Sequence, residues 1–139
     1  MKQVIRLHRE SMSLADKAIF VRSAGHIDEA TDLTRQAFNK EREAAELVAE
    51  NLDLEPTRSV LFRSAASLAL ECGELREAER LISMALSGCP PEEIAEELRD
   101  LLEDVLDKKA VRVSRDTSKS VIPANAGIQR SLPNRGVAV

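Results

Sequence analysis

The amino-acid sequence predicts an all-α fold, and three observations carry that prediction. Apolar residues recur at helical intervals from Val4 to Val105, with almost no strand-like alternation. Aromatics make up 2% of the chain, with no Trp or Tyr, so the expected core is Leu, Ala, Ile and Val with three phenylalanines. Ala- and Leu-rich helices pack closely without large rings. The third observation is a Gly-centred hairpin pattern that occurs twice. Phe62–Pro91, FRSAASLALECGELREAERLISMALSGCPP, reads as helix, tight turn, helix and Gly/Pro stop.

The first helix is expected from about Val4 to Ala24, with Val4, Leu7, Met12, Leu14, Ala15, Ala18, Ile19 and Val21 on its apolar face. Ser13, ahead of Asp16, offers an alternative start within it. Gly25 stands where a left-handed residue ends a helix most cheaply. A second helix begins at Ile27, with Asp28 and Glu29 in the first turn, where the dipole favours carboxylates. Its expected stripe runs through Ile27, Ala30, Leu33, Ala37, Phe38, Ala44, Ala45, Val48 and Leu52. One long helix ending near Asn51 is expected, a break at Asn39 being the alternative.

Pro56 suits the first turn of a third helix, which runs to about Cys72. That helix is apolar round much of its circumference, which predicts burial on two sides. Gly73 mirrors Gly25, and a fourth helix, Glu74 to Ser87, ends before Gly88, Pro90 and Pro91. A fifth starts at Pro91, continues through Leu106 or slightly beyond, and carries Glu92, Glu93, Glu96 and Glu97 at its start. Its single apolar stripe, Ile94, Ala95, Leu98, Leu101, Leu102 and Val105, fits a capping helix.

Charge divides the chain. Residues 1–106 hold 13 Lys and Arg against 22 Asp and Glu, whereas 107–139 hold 7 against 2. From about Lys108, Ser, Thr, Pro, Gly and Asn dominate without a sustained apolar period, so two domains are expected, a helical body at 1–107 and a disordered basic tail at 108–139. An acidic body argues against a phosphate-backbone partner, and the tail has no aromatics on which bases could stack. No stretch approaches the ~20 apolar residues of a membrane span, and MKQVIRLHRE has no signal-peptide core, so a cytoplasmic location is expected.

Aligned on their turns, the two hairpins are offset by 48 residues. Gly25 matches Gly73, Ile27 matches Leu75, Glu29-Ala30 matches Glu77-Ala78, Leu33 matches Leu81 and Ala37 matches Ala85. The glycine permits the tight turn, the alanines let helices approach, and the larger residues fill the layer between hairpins. This pattern resembles the second half of a tetratricopeptide repeat. Phe62 and Ala66 stand at its first-half positions, with Leu14 and Ala18 as their counterparts. Val21 and Ala69 replace the expected aromatic, and the offset exceeds the family's usual ~34 residues. The resemblance implies antiparallel hairpins in a short right-handed array closed by the capping helix. Leu14–Val105 is also similar to a group of small bacterial proteins of unassigned activity. The tail phrase SVIPANAGIQ (Ser120–Gln129) resembles a translated genomic repeat element.

The chain shows no P-loop, no G-x-G-x-x-G, no H-E-x-x-H and no G-x-S-x-G. His8 and His26 are isolated in sequence and expected at the surface near helix ends. Cys72 and Cys89 lack the spacing of a zinc site, and Cys72 at a helix C-terminus is a poor nucleophile. Neither an enzyme, a cofactor nor a metal is expected.

The resemblance instead implies a concave binding face on the first helix of each hairpin. The lining positions correspond to Met12, Ala15, Ile19 and Arg22, then Val60, Arg63, Ser67 and Leu70. Arg22 and Arg63 interrupt apolar helices. Either they meet an acidic segment of a partner, or each pairs with its own neighbours, such as Glu71 or Glu74. The function expected is a non-catalytic adaptor for another protein or peptide. The alternatives are a truncated module of a larger regulatory protein and a self-associating bundle, a homodimer.

Overall fold

The computed structural model of the chain describes residues 1–119, and the elements they form are helical throughout. They form α1 (Lys2–Ser23), α2 (Ile27–Leu47), a 3-10 turn (Leu52–Leu54), α3 (Thr57–Glu71), α4 (Leu75–Leu86) and α5 (Glu92–Lys119). Among the described residues there is no strand, and no helix is long and apolar enough to cross a membrane. SVIPANAGIQ lies outside the described residues.

The two hairpin turns close in the same way. Gly25 has φ +92° and Gly73 φ +77°, the left-handed region that a side chain resists. His26 N–H donates to Val21 O and Gly25 N–H to Arg22 O, at 2.9 and 3.0 Å. In the second hairpin Glu74 N–H donates to Ala69 O and Gly73 N–H to Leu70 O, again at 2.9 and 3.0 Å. Both are Schellman caps, which satisfy the last carbonyls of the incoming helix and aim the chain back along it. The 48-residue offset is thus a repeat of backbone geometry as well as of residue type.

Helix α1 runs unbroken through Ser11 and Ser13. Ser13 starts no new helix, and Ser11 is buried, its hydroxyl donating to Ala37 O of α2 at 2.8 Å. Helix α2 passes Asn39 intact but stops at Leu47, short of the expected end. Asn51 draws the chain into the 3-10 turn, its side-chain oxygen accepting from Asp53 N–H at 3.2 Å.

Packing follows the alanines. Ala30, Ala37, Ala44, Ala45, Ala65, Ala66, Ala69, Ala78 and Ala85 are completely buried. Helix α2 packs on both α1 and α3, and α3 on α4. The main core is centred on Phe38, Phe62, Leu81 and Ile82, and Leu98 and Val105 of α5 join it. A smaller cluster, Ala18, Val21, Ala30 and Leu33, fills only the far end of the first hairpin. There the expectation of a three-phenylalanine core needs correction. Phe20 is 74% exposed and Ile19 63%, because that end of α1 is covered by α2 alone.

The chain divides into Met1–Leu106 and the part from Asp107 onward. Helix α5 continues to Lys119, twelve residues into the region that the sequence reads as disordered. The reason lies in composition. DKKAVRVSRD (Asp107–Asp116) holds five strong helix formers, two Lys, one Ala and two Arg, with no Gly or Pro, and the next Pro and Gly are Pro123 and Gly127.

A buried arginine ties the elements together. Arg58, in the first turn of α3, is 4% exposed. Its Nε donates to Ala49 O just after α2 (2.7 Å), and Nη2 donates to Met84 O in α4 (3.0 Å). Glu55 Oε2 lies 3.6 Å from Nη1, and the guanidinium sits 5.1 Å from the Phe62 ring centroid. Glu55 also accepts from Ser59 N–H and Oγ–H and, across the α4–α5 turn, from Cys89 N–H. Gly88 makes room: a Cβ there would fall 2.4 Å from Arg58 Nη1. Replacing Arg58 with Met keeps the stem but removes the donors to Ala49 O and Met84 O, the latter still bonded by Ser87 Oγ–H, and leaves Glu55 without its charge partner. Arg58→Met is expected to lower stability by about 2–3 kcal/mol in urea unfolding. A loss under about 0.5 kcal/mol would show that the clip is ornamental.

Candidate functional site

The structure distributes the expected site residues over two places. Met12 is half-buried on α1, while Ile19 and Arg22 are exposed near its end. Val60, Arg63, Ser67 and Leu70 are half-buried along one side of α3. Arg63 and Ser67 come together with α5: with Glu97, Asp100, Leu101 and Asp104 they line an open cleft of about 320 Å³. Met12, Ile19 and Arg22 do not line it.

Arg63 forms an ion pair with Glu97 across the cleft. Neither of the neighbours expected for it takes that role, and Glu74 pairs instead with Arg35 of α2 at 3.0 Å. Three carboxylates thus face one guanidinium. Of the α5 contributors, the sequence reading places Glu97 at the helix start and Leu101 on the apolar stripe and gives Asp100 and Asp104 no role. The signal that identifies them is spacing, since Glu97, Leu101 and Asp104 follow steps of four and three.

The opposite helices of the hairpins are joined by charge. Arg80 of α4 reaches Glu46 of α2 at 3.0 Å and Glu77 at 2.6 Å, and Arg42 of α2 lies 3.6 Å from Glu77. The hydrogen bond from Arg80 holds the Glu77 carboxyl below the ordinary range, against a smaller opposing effect of burial. This α2–α4 face spends its charges internally, whereas the α3–α5 cleft leaves carboxylates facing solvent.

A second polar cluster lies between α1 and α2. His8 is not isolated: its Nδ1 sits 3.0 and 2.9 Å from the two oxygens of Glu41, which is fully buried. Ser11 and Ser64 stand near the Glu41 carboxyl and favour its charged form. Burial pushes that carboxyl above its ordinary value, and the charge and hydrogen bond of His8 oppose the shift without cancelling it. Cys72 is half-buried, and burial likewise raises its thiol, with Arg35 opposing. Among the described residues no three His, Cys, Asp or Glu side chains converge on a metal-sized site. No family model, curated protein or solved structure matches this chain.

The Glu41 cluster fixes a pH dependence. With its folded-state value raised above 4.5, the folded chain holds more protons than the unfolded one between those two values. The associated stability is fully present below 4.5 and is lost as pH rises through the raised value. Gln mimics the protonated acid at every pH. The stability of Glu41→Gln relative to wild type should therefore increase as pH is raised from 4.5 into the neutral range. Urea unfolding of both proteins along that range checks it; a difference that stays flat or shrinks counts against the assignment.

Proposed function

We propose that the chain is a non-catalytic protein–protein interaction module. In this reading its two hairpins stack in a tetratricopeptide-like array that α5 closes. The observation that carries the proposal is the open cleft of Arg63, Ser67, Glu97, Asp100, Leu101 and Asp104, flanked on α3 by half-buried Val60 and Leu70. A cleft of this form suits a peptide or a helix better than a small molecule, which calls for an enclosed apolar cavity. Its charge sets the chemistry of the occupant. Arg63 already has a carboxylate within the chain, so Asp100 and Asp104 favour a cationic, partly apolar segment over the acidic one expected from Arg22 and Arg63 alone.

The proposal is tested by using the full chain as bait in native lysate of the source cells, beside two variants. Ser67→Arg places a cation inside the cleft, and Glu43→Lys changes an exposed residue of α2. A protein bearing a Lys- or Arg-rich segment should be retained by wild type and Glu43→Lys and lost with Ser67→Arg. Identical capture by all three folded baits would overturn the cleft as the docking surface.

A further inference from the structure

Charge is unevenly divided within Met1–Leu106. Helix α1 carries five Lys and Arg against two Asp and Glu, whereas residues 24–106 carry eight against twenty. On its outer side Lys2, Ile5, Arg6 and Arg9, with Glu10 and Ser13, line an open groove of about 460 Å³. The first four are all exposed, Ile5 at 46%, while Val4, Leu7 and Ser11 on the other side of the helix are buried. Arg6 makes an exposed pair with Glu10, one turn on, at 3.4 Å. This face is cationic and partly apolar, which is the chemistry that the acidic α3–α5 cleft favours.

The two faces match residue for residue. On α5 the cleft presents Glu97, Asp100, Leu101 and Asp104. Counted from Leu101, Asp104 stands three residues after, and Asp100 and Glu97 stand one and four before. Counted from Ile5, Lys2 stands three residues before, and Arg6 and Arg9 stand one and four after. Laid antiparallel, the helices set Ile5 on Leu101, Lys2 against Asp104, Arg6 against Asp100 and Arg9 against Glu97. We propose that the α3–α5 cleft of one copy of this chain receives the Lys2–Arg9 face of α1 from a second copy. This rests on reading the cleft as a protein-docking surface, and it names the occupant.

The opposite direction fails on the same residues. Run parallel, with Lys2 at Glu97 and Arg9 at Asp104, the helices oppose Ile5 to Asp100 and Arg6 to Leu101. Of the two directions, the antiparallel one satisfies charged and apolar positions together. Arg63 keeps its partner, because the exposed Glu97 carboxylate accepts from more than one donor. Glu10 borders the α1 face and stands opposite Glu96 in this register, but its carboxylate is already engaged by Lys40 of α2 at 3.2 Å and by Arg6. The contact is heterologous: it joins two different surfaces, and each can be blocked separately. It runs along about 11 Å of helix at 1.5 Å per residue, a short interface whose strength depends on salt.

The test is sedimentation equilibrium of the full chain over a wide concentration range, with one variant for each surface. Arg6→Glu/Arg9→Glu reverses the α1 face, and Ser67→Arg places a cation inside the cleft. Wild type should rise above 15.3 kDa with increasing concentration, less steeply at ~500 mM salt than at ~50 mM. Each variant alone should associate at least about tenfold more weakly. Their equimolar mixture should form a complex of two chains and stop there, because one sound α1 face and one sound cleft remain to meet. Should either variant lose helicity by circular dichroism, Arg9→Gln and Asp104→Asn are held to the same pattern. A wild type that stays monomeric, a mixture that recovers nothing, or a mixture that climbs past two chains would each overturn the self-pairing. A monomeric wild type whose lysate capture still depends on Ser67 would sink the self-pairing alone and leave the cleft as the docking surface for a different cationic protein.

Discussion

The buried guanidinium of Arg58 is the constraint on which the rest of the body depends. A charge with this little exposure is costly unless its donors and its countercharge are provided. Provision comes from three separate places: the carbonyl of Ala49 after α2, the carbonyl of Met84 in α4, and the carboxylate of Glu55 before α3. The α2–α3 connection, the start of α3 and the end of α4 must therefore be in place together. Gly88 belongs to the same constraint, because any side chain there would enter the space of the guanidinium. The consequence reaches α5, since Cys89 N–H, on the way into that helix, is held by Glu55.

The first hairpin has no equivalent clip, and the asymmetry shows. Its turn is built like that of the second, with a left-handed glycine and the same pair of cap hydrogen bonds. Its far end is nevertheless a two-helix contact, closed by Ala18, Val21, Ala30 and Leu33, with Ile19 and Phe20 left in solvent. Toward the other end, where α3 adds a third layer, the polar His8–Glu41 contact and the Ser11 hydroxyl are enclosed between α1 and α2. The number of layers, more than the composition of α1, decides which of its apolar residues are buried.

What was legible in the sequence is what local physics controls. Helix positions followed from apolar spacing, the turns from Gly25 and Gly73, and close packing from alanines at matched positions. What was not legible depends on long-range partners. Nothing local distinguishes Arg58, which is buried, from Arg22, which is exposed; the difference is that the carbonyls of Ala49 and Met84 converge on one of them. Glu41 sits in a run of charges, KERE, that reads as a solvated face, yet its carboxylate is buried against His8, 33 residues away. Ser67 and Arg63 were found on α3, but the acidic half of their cleft came from α5, whose glutamates look locally like a dipole-favoured helix start. The extent of α5 was underestimated because the Ser-, Pro- and Gly-rich composition of the far tail was extended back to Lys108. Polarity alone does not end a helix when Pro and Gly are absent.

The charges of α5 bear on what that helix is for. A capping helix needs one apolar face turned inward and a polar face turned to solvent, and any arrangement of charges would serve the second purpose. In α5 the charges are ordered: Glu97, Asp100 and Asp104 share with Leu101 the side that faces Arg63 and Ser67 of α3. Solvation does not require such an order. Helix α5 thus puts Leu98 and Val105 into the main core and sets Glu97 against Arg63 of α3.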